Sequence, residues 1–239
     1  MSTATIHRKR ATNGAKSRSA MRLLPLLNGD HLTVPEFERR YQTMPEDKKA
    51  ELIEGIVVMS PPISNTHGEA QFTLGLILKR YANATAGVKC GGNISIRLDG
   101  KNEYQPDGLL RIATGPSARS HITSNDLLEG APEFIVEITV SSASYDLHEK
   151  KAVYQRNGVA EYFVWQVMDS QIHWFALENG EYVELKAASD GVIKSRVFPG
   201  LWINTRALLA NDDDKVLRAL DKGLKSAEHA ALVKKLSAK

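Results

Sequence analysis

The sequence predicts a mixed α/β fold, in which a central β-sheet is flanked by helices. The first observation is that residues 133–165, EFIVEITVSSASYDLHEKKAVYQRNGVAEYFVW, pass from an apolar run through a polar helical pattern to a second apolar run. Strand, helix and strand in this order predict a parallel crossover unit. The second observation is that the later apolar runs are separated by short turns, which favours antiparallel hairpins.

The first elements are expected before residue 65. Thr33 can cap a short helix that carries Pro35 in its first turn. The run ELIEGIVVMSPP, residues 51–62, predicts two strands that turn at Glu54-Gly55 and stop at two prolines.

A longer helix is expected over residues 66–84, because Ser64 or Asn65 can cap it and its apolar positions include Phe72, Leu76 and Leu78. Residues 87–92 break this helix. Apolar or alternating runs then predict six strands: 93–98, 107–112, 134–140, 161–167, 171–177 and 181–185. A helix at 146–157 is expected between the third and fourth strands, ending at Gly158 as a left-handed cap.

Three regions are predicted: a basic disordered leader over residues 1–30, an α/β domain over 31–210 and an amphipathic helical tail over 211–239. The net charge is +3, but six of the 31 basic residues and none of the 28 acidic residues lie in residues 1–29, so the remainder carries a charge of −3. Such a leader can contact phosphates without sequence preference, although a solvated disordered segment is the simpler interpretation.

The composition also excludes several classes of protein. No apolar run reaches the ~18 residues of a membrane span, so no membrane partner is expected. The N-terminus lacks the apolar segment of a secretory signal. A single cysteine, Cys90, excludes an intrachain disulfide and a cysteine-based zinc site. We therefore expect a cytoplasmic protein.

Three residues point to chemistry. Glu137 interrupts an apolar strand, where a carboxylate must be hydrogen-bonded, ion-paired, protonated or bound to a metal. Asp107 follows Pro106 at the start of a strand, and Lys150 lies on the next helix, with Tyr154 one turn later. Two carboxylates and a lysine brought to one place would form a site for a hard cation such as Mg²⁺.

Spacing alone does not show that these residues meet. A strand-start aspartate is common, and so is a lysine paired with an acid on its own helix. The residues by themselves leave two interpretations of Glu137 open: a metal ligand, or one half of a buried ion pair with Lys150.

Three motifs in order add a resemblance to a known family. QPD at 105–107, VEI at 136–138 and YDLHEKKAVYQRNGVAEYFVW at 145–165 resemble the Uma-type family, a former bacterial domain-of-unknown-function family grouped with restriction endonucleases in the PD-(D/E)XK superfamily. The resemblance covers about residues 33–209, and includes the upstream ELIEGIVVMSPPISNTHGEA and the closing FPGLWINTRALL. It implies a restriction-endonuclease-like fold.

The resemblance also implies roles for the central residues. Asp107 and Glu137 match the metal-binding carboxylates of the superfamily, with the backbone carbonyl of Ile138 as a further metal ligand. The superfamily's usual lysine, two residues after the second acid, is replaced here by Thr139. Lys150 matches the lysine that the Uma-type family carries on the following helix.

Four further positions match the family more loosely. Tyr154 matches its aromatic residue one turn after the lysine, and Glu69 resembles an auxiliary acidic ligand on the first long helix. His67 is also treated as an auxiliary residue, although a structural hydrogen bond near a helix start would explain it equally well. Glu54 matches a recurrent position to which no role is assigned.

The function implied by the resemblance is Mg²⁺- or Mn²⁺-dependent hydrolysis of phosphodiester bonds in nucleic acid, with DNA as the expected substrate and partner. A homodimer is compatible with it, since superfamily nucleases often pair to cut two strands. The alternative is a non-catalytic nucleic-acid-binding or interaction protein that retains the fold. The acidic body favours this alternative, because a nuclease groove needs positive charge facing phosphate.

Overall fold

The computed structural model describes residues 23–45, 47–140 and 146–238. Residues 1–22, which make up most of the predicted basic leader, lie outside the described residues. The described helices are α1 (Val34–Tyr41), α2 (Asn65–Ala84), a π-helical turn (Asp146–Lys150) continued by α3 (Lys151–Arg156), α4 (Thr205–Leu209), α5 (Asp213–Leu224) and α6 (Ala227–Ser237).

The strands are short and belong to three sheets within the described part of the chain. In chain order they are β1 (Ala50–Ile53), β2 (Ile56–Met59), β3 (Val88–Gly91), β4 (Ile96–Asp99), β5 (Asn102–Tyr104), β6 (Gly108–Ile112), β7 (Ser120–Ile122), β8 (Leu128–Gly130), β9 (Phe134–Thr139), β10 (Glu161–Gln166), β11 (Gln171–Glu178), β12 (Glu181–Glu184), β13 (Val192–Lys194) and β14 (Trp202–Asn204). The protein is therefore a mixed α/β protein, as predicted.

The central sheet has the order β12-β11-β10-β9-β6-β3. Its strands β9 and β10 run parallel, with Phe134 opposite Glu161 and Thr139 opposite Gln166. This confirms the predicted crossover unit, whose helix ends before Gly158 in a left-handed conformation (φ +76°). The strands β10, β11 and β12 form the predicted antiparallel hairpins.

A second six-stranded sheet was not expected from the sequence. Its order is β2-β1-β5-β4-β8-β7, and β4 and β8 run parallel while its other pairs are antiparallel. The predicted turn between β1 and β2 is confirmed, with positive φ at Glu54 (+51°) and Gly55 (+80°). In place of the single sheet predicted from the sequence, the described strands form two six-stranded sheets and the β13-β14 pair, and the second six-stranded sheet brings β1 to the site described below.

The two faces of β9 enter two hydrophobic cores. Phe134, Val136 and Ile138 pack with α2 and with α5 and α6, in the larger core. Ile135 belongs to the other core, together with Tyr154 from α3. The split follows from strand geometry, since side chains of successive residues point to opposite faces.

Two sequence-based assignments differ from the structure. Residues 88–91 form β3, which pairs antiparallel with β6, although the sequence indicated only a helix break there. The C-terminal tail is two helices, because Ser226 caps α6 by accepting a hydrogen bond from the backbone N–H of His229 at 3.2 Å. Val216 and Leu220 of α5 are buried in the larger core.

Helix α2 begins as predicted, with the Ser64 hydroxyl accepting from the backbone N–H of His67 at 3.2 Å. Its apolar positions differ in environment: Leu78 is buried, whereas Phe72 and Leu76 are exposed. None of the described helices is both long enough and apolar enough to cross a membrane.

Candidate active site

Glu137 is buried in the middle of β9 and is held by two donors from the next helical segment. Its Oε1 accepts from the Lys150 ammonium at 3.1 Å and from the Tyr154 hydroxyl at 2.8 Å. Lys150 and Tyr154 are four residues apart, which places them on one face of a helix, as the sequence predicted. The charge that interrupts the apolar strand is thus matched by an ammonium and a hydroxyl.

Lys150 also contacts a carboxylate that sequence reasoning missed. Its Nζ lies 3.0 Å from Oε2 of Glu51, a residue of β1 in the second sheet. The three side chains are almost fully buried, with exposed fractions of 10% for Lys150, 9% for Glu51 and 5% for Glu137. One ammonium therefore lies between two buried carboxylates from two different sheets.

The surroundings fix the protonation and orientation of this cluster. Burial, with the nearby Glu137 carboxylate as a further cause, raises the pKa of Tyr154 well above its ordinary value, so its hydroxyl remains a proton donor at neutral pH. The backbone N–H of Gln105 donates to Oε1 of Glu51 at 2.8 Å. Lys150 also lies 5.7 Å from the centre of the Tyr104 ring, within the range of a cation–π contact.

Lys150 is the last residue of the π-helical turn, and α3 starts at the next residue. Short π-helical segments are uncommon in proteins, and those that occur often lie at functional sites. Residues 141–145, which join β9 to this turn, lie outside the described residues.

Asp107 lies at the end of the β6–β9 ladder. The last paired residues of the two strands are Gly108 and Val136, and beyond them Oδ2 of Asp107 accepts from the backbone N–H of Ile138 at 2.7 Å. In a strand, the N–H and C=O of one residue point to the same side, so the Ile138 carbonyl faces the side of β9 on which Asp107 lies. Asp107 is thereby fixed beside the residue that follows Glu137.

Two side chains of α2 hold the other oxygen of Asp107. His67 Nε2 is 2.9 Å from Oδ1, and the Gln71 amide donates to Oδ1 at 3.3 Å and to the backbone carbonyl of Asp107 at 3.2 Å. His67 reaches Asp107 because the Ser64 cap sets where α2 begins. His67 is therefore a direct neighbour of the candidate catalytic aspartate.

Most of these residues line one cleft of about 320 Å³. The residues of the candidate site in its lining are Glu51, His67, Asp107, Glu137, Ile138 and Lys150. The structure thus brings together the three central residues predicted from the sequence, and adds Glu51 to them.

Two of the residues matched to the family lie elsewhere. Glu69 is exposed and accepts from the Asn65 side chain at 2.9 Å, one turn earlier on α2. It does not line the cleft, because it is two residues beyond His67 and so points about 200° away around the helix. Glu54 lies in the exposed β1–β2 turn and pairs with Arg156. Neither residue joins the group around Glu137.

The donor set of the cleft suits a hard cation without forming a closed metal site. Carboxylate and carbonyl oxygens, from Asp107, Glu137 and Ile138, are the ligands that Mg²⁺ prefers, and Mg²⁺ usually keeps several waters. Among the described residues there is no group of three or more His, Cys, Asp or Glu side chains placed to hold a metal ion. The residues therefore fit an ion held by few protein ligands and completed by water.

Glu51 could have been found from the same signal that drew attention to Glu137. It stands in a short strand between Ala50 and Leu52, both of which are buried. A carboxylate in a strand that is buried throughout needs a partner. The sequence could not identify that partner, since the contact joins residues 51 and 150 across two sheets.

Comparison with known proteins gives one family and a solved structure. The family model "Uma2: Putative restriction endonuclease" matches residues 34–206. A crystal structure described as a putative nuclease belonging to DUF820, from Anabaena variabilis ATCC 29413, matches with a TM-score of 0.56 and 14% identity, covering 72% of this chain and 96% of the other. At this identity the structural likeness concerns the fold. No curated protein matches the sequence.

Proposed function

Because the chain belongs to the Uma2 family, we propose that it is a metal-dependent endonuclease that hydrolyses phosphodiester bonds in nucleic acid, with DNA as the expected substrate. The observation that carries the proposal is the meeting of Asp107, Glu137 and Lys150 in one cleft. Two carboxylates beside a lysine are the groups needed to hold a divalent cation and to stabilise negative charge on a phosphate.

Asp107, Glu137 and the backbone carbonyl of Ile138 would hold Mg²⁺ or Mn²⁺. The chemistry that such an ion supplies is polarisation of the phosphate and a lowered pKa of a bound water. Asp107 is oriented for this role by His67 and by the Ile138 N–H, whose hydrogen bonds fix both of its oxygens. Ligands held by such hydrogen bonds are orientated before the cation arrives.

Lys150 would orient the attacking water or stabilise the charge that develops on the phosphate. Its position is fixed by the carboxylates of Glu51 and Glu137, so the ammonium would not need to be reorganised during the reaction. Tyr154 would keep Glu137 in place through its hydroxyl. Glu51 and Tyr154 are thus positioning residues in the proposed mechanism, since each acts through Lys150 or Glu137.

The test is cleavage of single-stranded DNA, duplex DNA and RNA with Mg²⁺ or Mn²⁺ by the parent and two variants. Asp107→Asn keeps an oxygen that can accept from Ile138 but removes the charge, and Lys150→Met keeps the length of the side chain. We expect both folded variants to lose at least a hundredfold in rate, since one electrostatic group is worth about 10²–10³. Parent-like cleavage by both variants would refute the assignment.

A matched control is available on α2. Glu69→Gln removes a carboxylate that the family resemblance suggested as a ligand but that is exposed and outside the cleft. We expect it to cleave at the parent's rate. A further readout does not depend on activity: Mn²⁺ should raise the melting temperature of the parent and of Glu69→Gln, and have a smaller effect on Glu137→Gln.

A second candidate function is nucleic-acid binding without catalysis. The observation in its favour is that Lys150 pairs with both Glu51 and Glu137, as it would in a purely structural ion network. This candidate predicts that the chain binds nucleic acid, that divalent cations do not stabilise it, and that none of the three substrates is cut. Stabilisation by Mn²⁺ that is lost in Glu137→Gln would exclude it.

A further inference from the structure

A groove beside the cleft is open to solvent and has an aromatic side chain on its wall. It has a volume of about 540 Å³ and lies between α2 and strands β3 and β6. Its α2 wall includes Gly68, Phe72, Gly75, Leu76 and Lys79, whose spacing of three and four residues puts them on one face of the helix. The opposite wall includes residues 90–92 and Gly108.

Two apolar residues of this wall are exposed, whereas Leu78, which also lines the groove, is buried. The exposed fraction is 81% for Phe72 and 49% for Leu76. Gly68 and Gly75 flank Phe72 on the helix, and a Cβ atom added to either would meet nothing within 4 Å. Glycine inside a helix costs about 1 kcal/mol relative to alanine. No neighbour requires a glycine at these positions, and the two glycines leave the helix surface open about one turn before and one turn after Phe72.

The groove and the candidate active cleft adjoin each other. Asn93 and Asp107 line both of them. A polymer bound with one phosphate in the cleft would therefore extend a neighbouring unit into the groove. At its far end the groove has Lys79, a cation suited to a second phosphate.

We propose that this groove binds an unpaired nucleobase of the strand whose phosphate occupies the cleft, with the base stacked on Phe72. An exposed aromatic ring is a stacking platform for any base, and every base has a π-face. The proposal rests on the function proposed above and deepens it: the substrate would be a strand that is single-stranded, or opened, next to the bond that is cut.

The dimensions of the groove favour this occupant over a protein partner. Two exposed apolar side chains form a small patch, whereas a stable protein interface buries about 1,200–2,000 Å² in total. The volume of the groove falls within the ~300–1,000 Å³ typical of sites for small molecules. A base attached to its sugar is a ligand of that class.

The first experiment measures binding without cleavage, with Ca²⁺ in place of Mg²⁺ and gel analysis to confirm that the strand stays intact. The probes are a short single-stranded DNA, the same sequence as a duplex, and an abasic strand of equal length. We expect Phe72→Ala to weaken single-strand binding about tenfold, in line with the loss of one stacked base. Phe72→Leu, which keeps an apolar side chain, should behave like Phe72→Ala, whereas Phe72→Trp should keep the affinity and show quenched fluorescence on binding.

The second experiment uses Cys90, the only cysteine of the chain, which lines the groove and is half-buried. Single-stranded DNA should slow alkylation of Cys90 in the parent and have less effect in Phe72→Ala. The matched control is Met168→Ala, which removes a side chain that is 68% exposed and lies outside the groove. Met168→Ala should bind single-stranded DNA with the affinity of the parent, and the DNA should slow alkylation of Cys90 as much as it does in the parent.

The outcomes separate this proposal from the proposed function. If the protein cleaves nucleic acid but Phe72→Ala or Phe72→Leu binds single strands like the parent, stacking on Phe72 is refuted and the endonuclease proposal is unaffected. If Phe72-dependent binding occurs and no substrate is cut, the nuclease proposal fails and the base site stands. If the protein binds no nucleic acid, the groove is not a base site. The same holds if Cys90 becomes protected from alkylation as the protein concentration rises and Phe72→Ala dissociates the dimer responsible, since the groove is then an interface between two copies of the chain.

Discussion

Lys150→Met removes the ammonium that lies between two buried carboxylates. In the parent, Nζ is 3.0 Å from Glu51 and 3.1 Å from Glu137, and the exposed fraction of each of the three side chains is 10% or less. Methionine has a similar length, so the packing is largely kept and the change isolates the charge. The variant would hold two buried carboxylates close together with no ammonium between them.

The magnitude follows from this burial. Removing one partner of a buried pair costs about 3–5 kcal/mol, because the remaining charge is left uncompensated. The Tyr154 hydroxyl and the backbone N–H of Gln105 would still donate to Glu137 and Glu51. We therefore expect a loss of about 3 kcal/mol in the free energy of unfolding, at the lower end of that range. The assay is urea denaturation at neutral pH, followed by circular dichroism.

A second substitution separates stability from chemistry. Glu51→Gln in the Lys150→Met background removes one of the two carboxylates, so it should recover part of the lost stability. It should recover no cleavage, because the ammonium is still absent. If Lys150→Met alone is as stable as the parent, the ion network is not what holds β1 against the helical turn. If the double variant regains cleavage, Lys150 has no catalytic role.

Three further predictions concern other buried groups. Burial, with the neighbouring Glu38 as a further cause, raises the pKa of Glu103 to about 8, so the folded state binds the proton more tightly than the unfolded state. Between about pH 4.5 and 8, this group should therefore lower the free energy of unfolding by up to about 1.4 kcal/mol per pH unit as pH rises. Glu103→Gln should remove this slope, as measured by denaturation at several pH values. Tyr154→Phe should cost about 1–2 kcal/mol of stability, measured by urea denaturation, because the Glu137 oxygen loses a buried donor. Glu161→Gln should lower the free energy of unfolding by about 2–3 kcal/mol, measured by thermal melting. The buried carboxylate accepts from four donors at 2.5–3.0 Å, including the Trp174 indole, and an amide cannot accept on both sides. A parent-like result for any of these three variants would contradict the cause given for it.

The elements governed by local patterns could be predicted from the sequence. The crossover of β9, helix and β10 follows from two apolar runs with a polar helical segment between them. The pairing of Glu137 with Lys150 was one of the two interpretations left open, and the structure contains that contact. Whether Glu137 also binds a metal stays a prediction, since both interpretations use the same residues.

The parts that could not be predicted depend on contacts between distant segments. Glu51 reaches Lys150 only because β1 of the second sheet lies against the helical turn, and no local pattern indicates that. Phe72 and Glu69 show a second limit of the sequence-based prediction: it identified the helix but not which of its sides faces solvent and which faces the cleft. Phe72 was one of the apolar positions that predicted α2, yet it faces solvent, and Glu69 faces away from the cleft.

The charges of the cleft bear on the order in which ligands can enter. The charged side chains that the structure describes in its lining are Glu51, Asp107, Glu137, Lys49 and Lys150, besides His67. Together they carry a formal charge of −1 when the imidazole is neutral. Without a cation, this charge repels an approaching polyanion. One divalent cation changes the sign of that charge to about +1. Under the proposed function, binding is then ordered, and the cation is required for the strand to enter as well as for the strand to be cut.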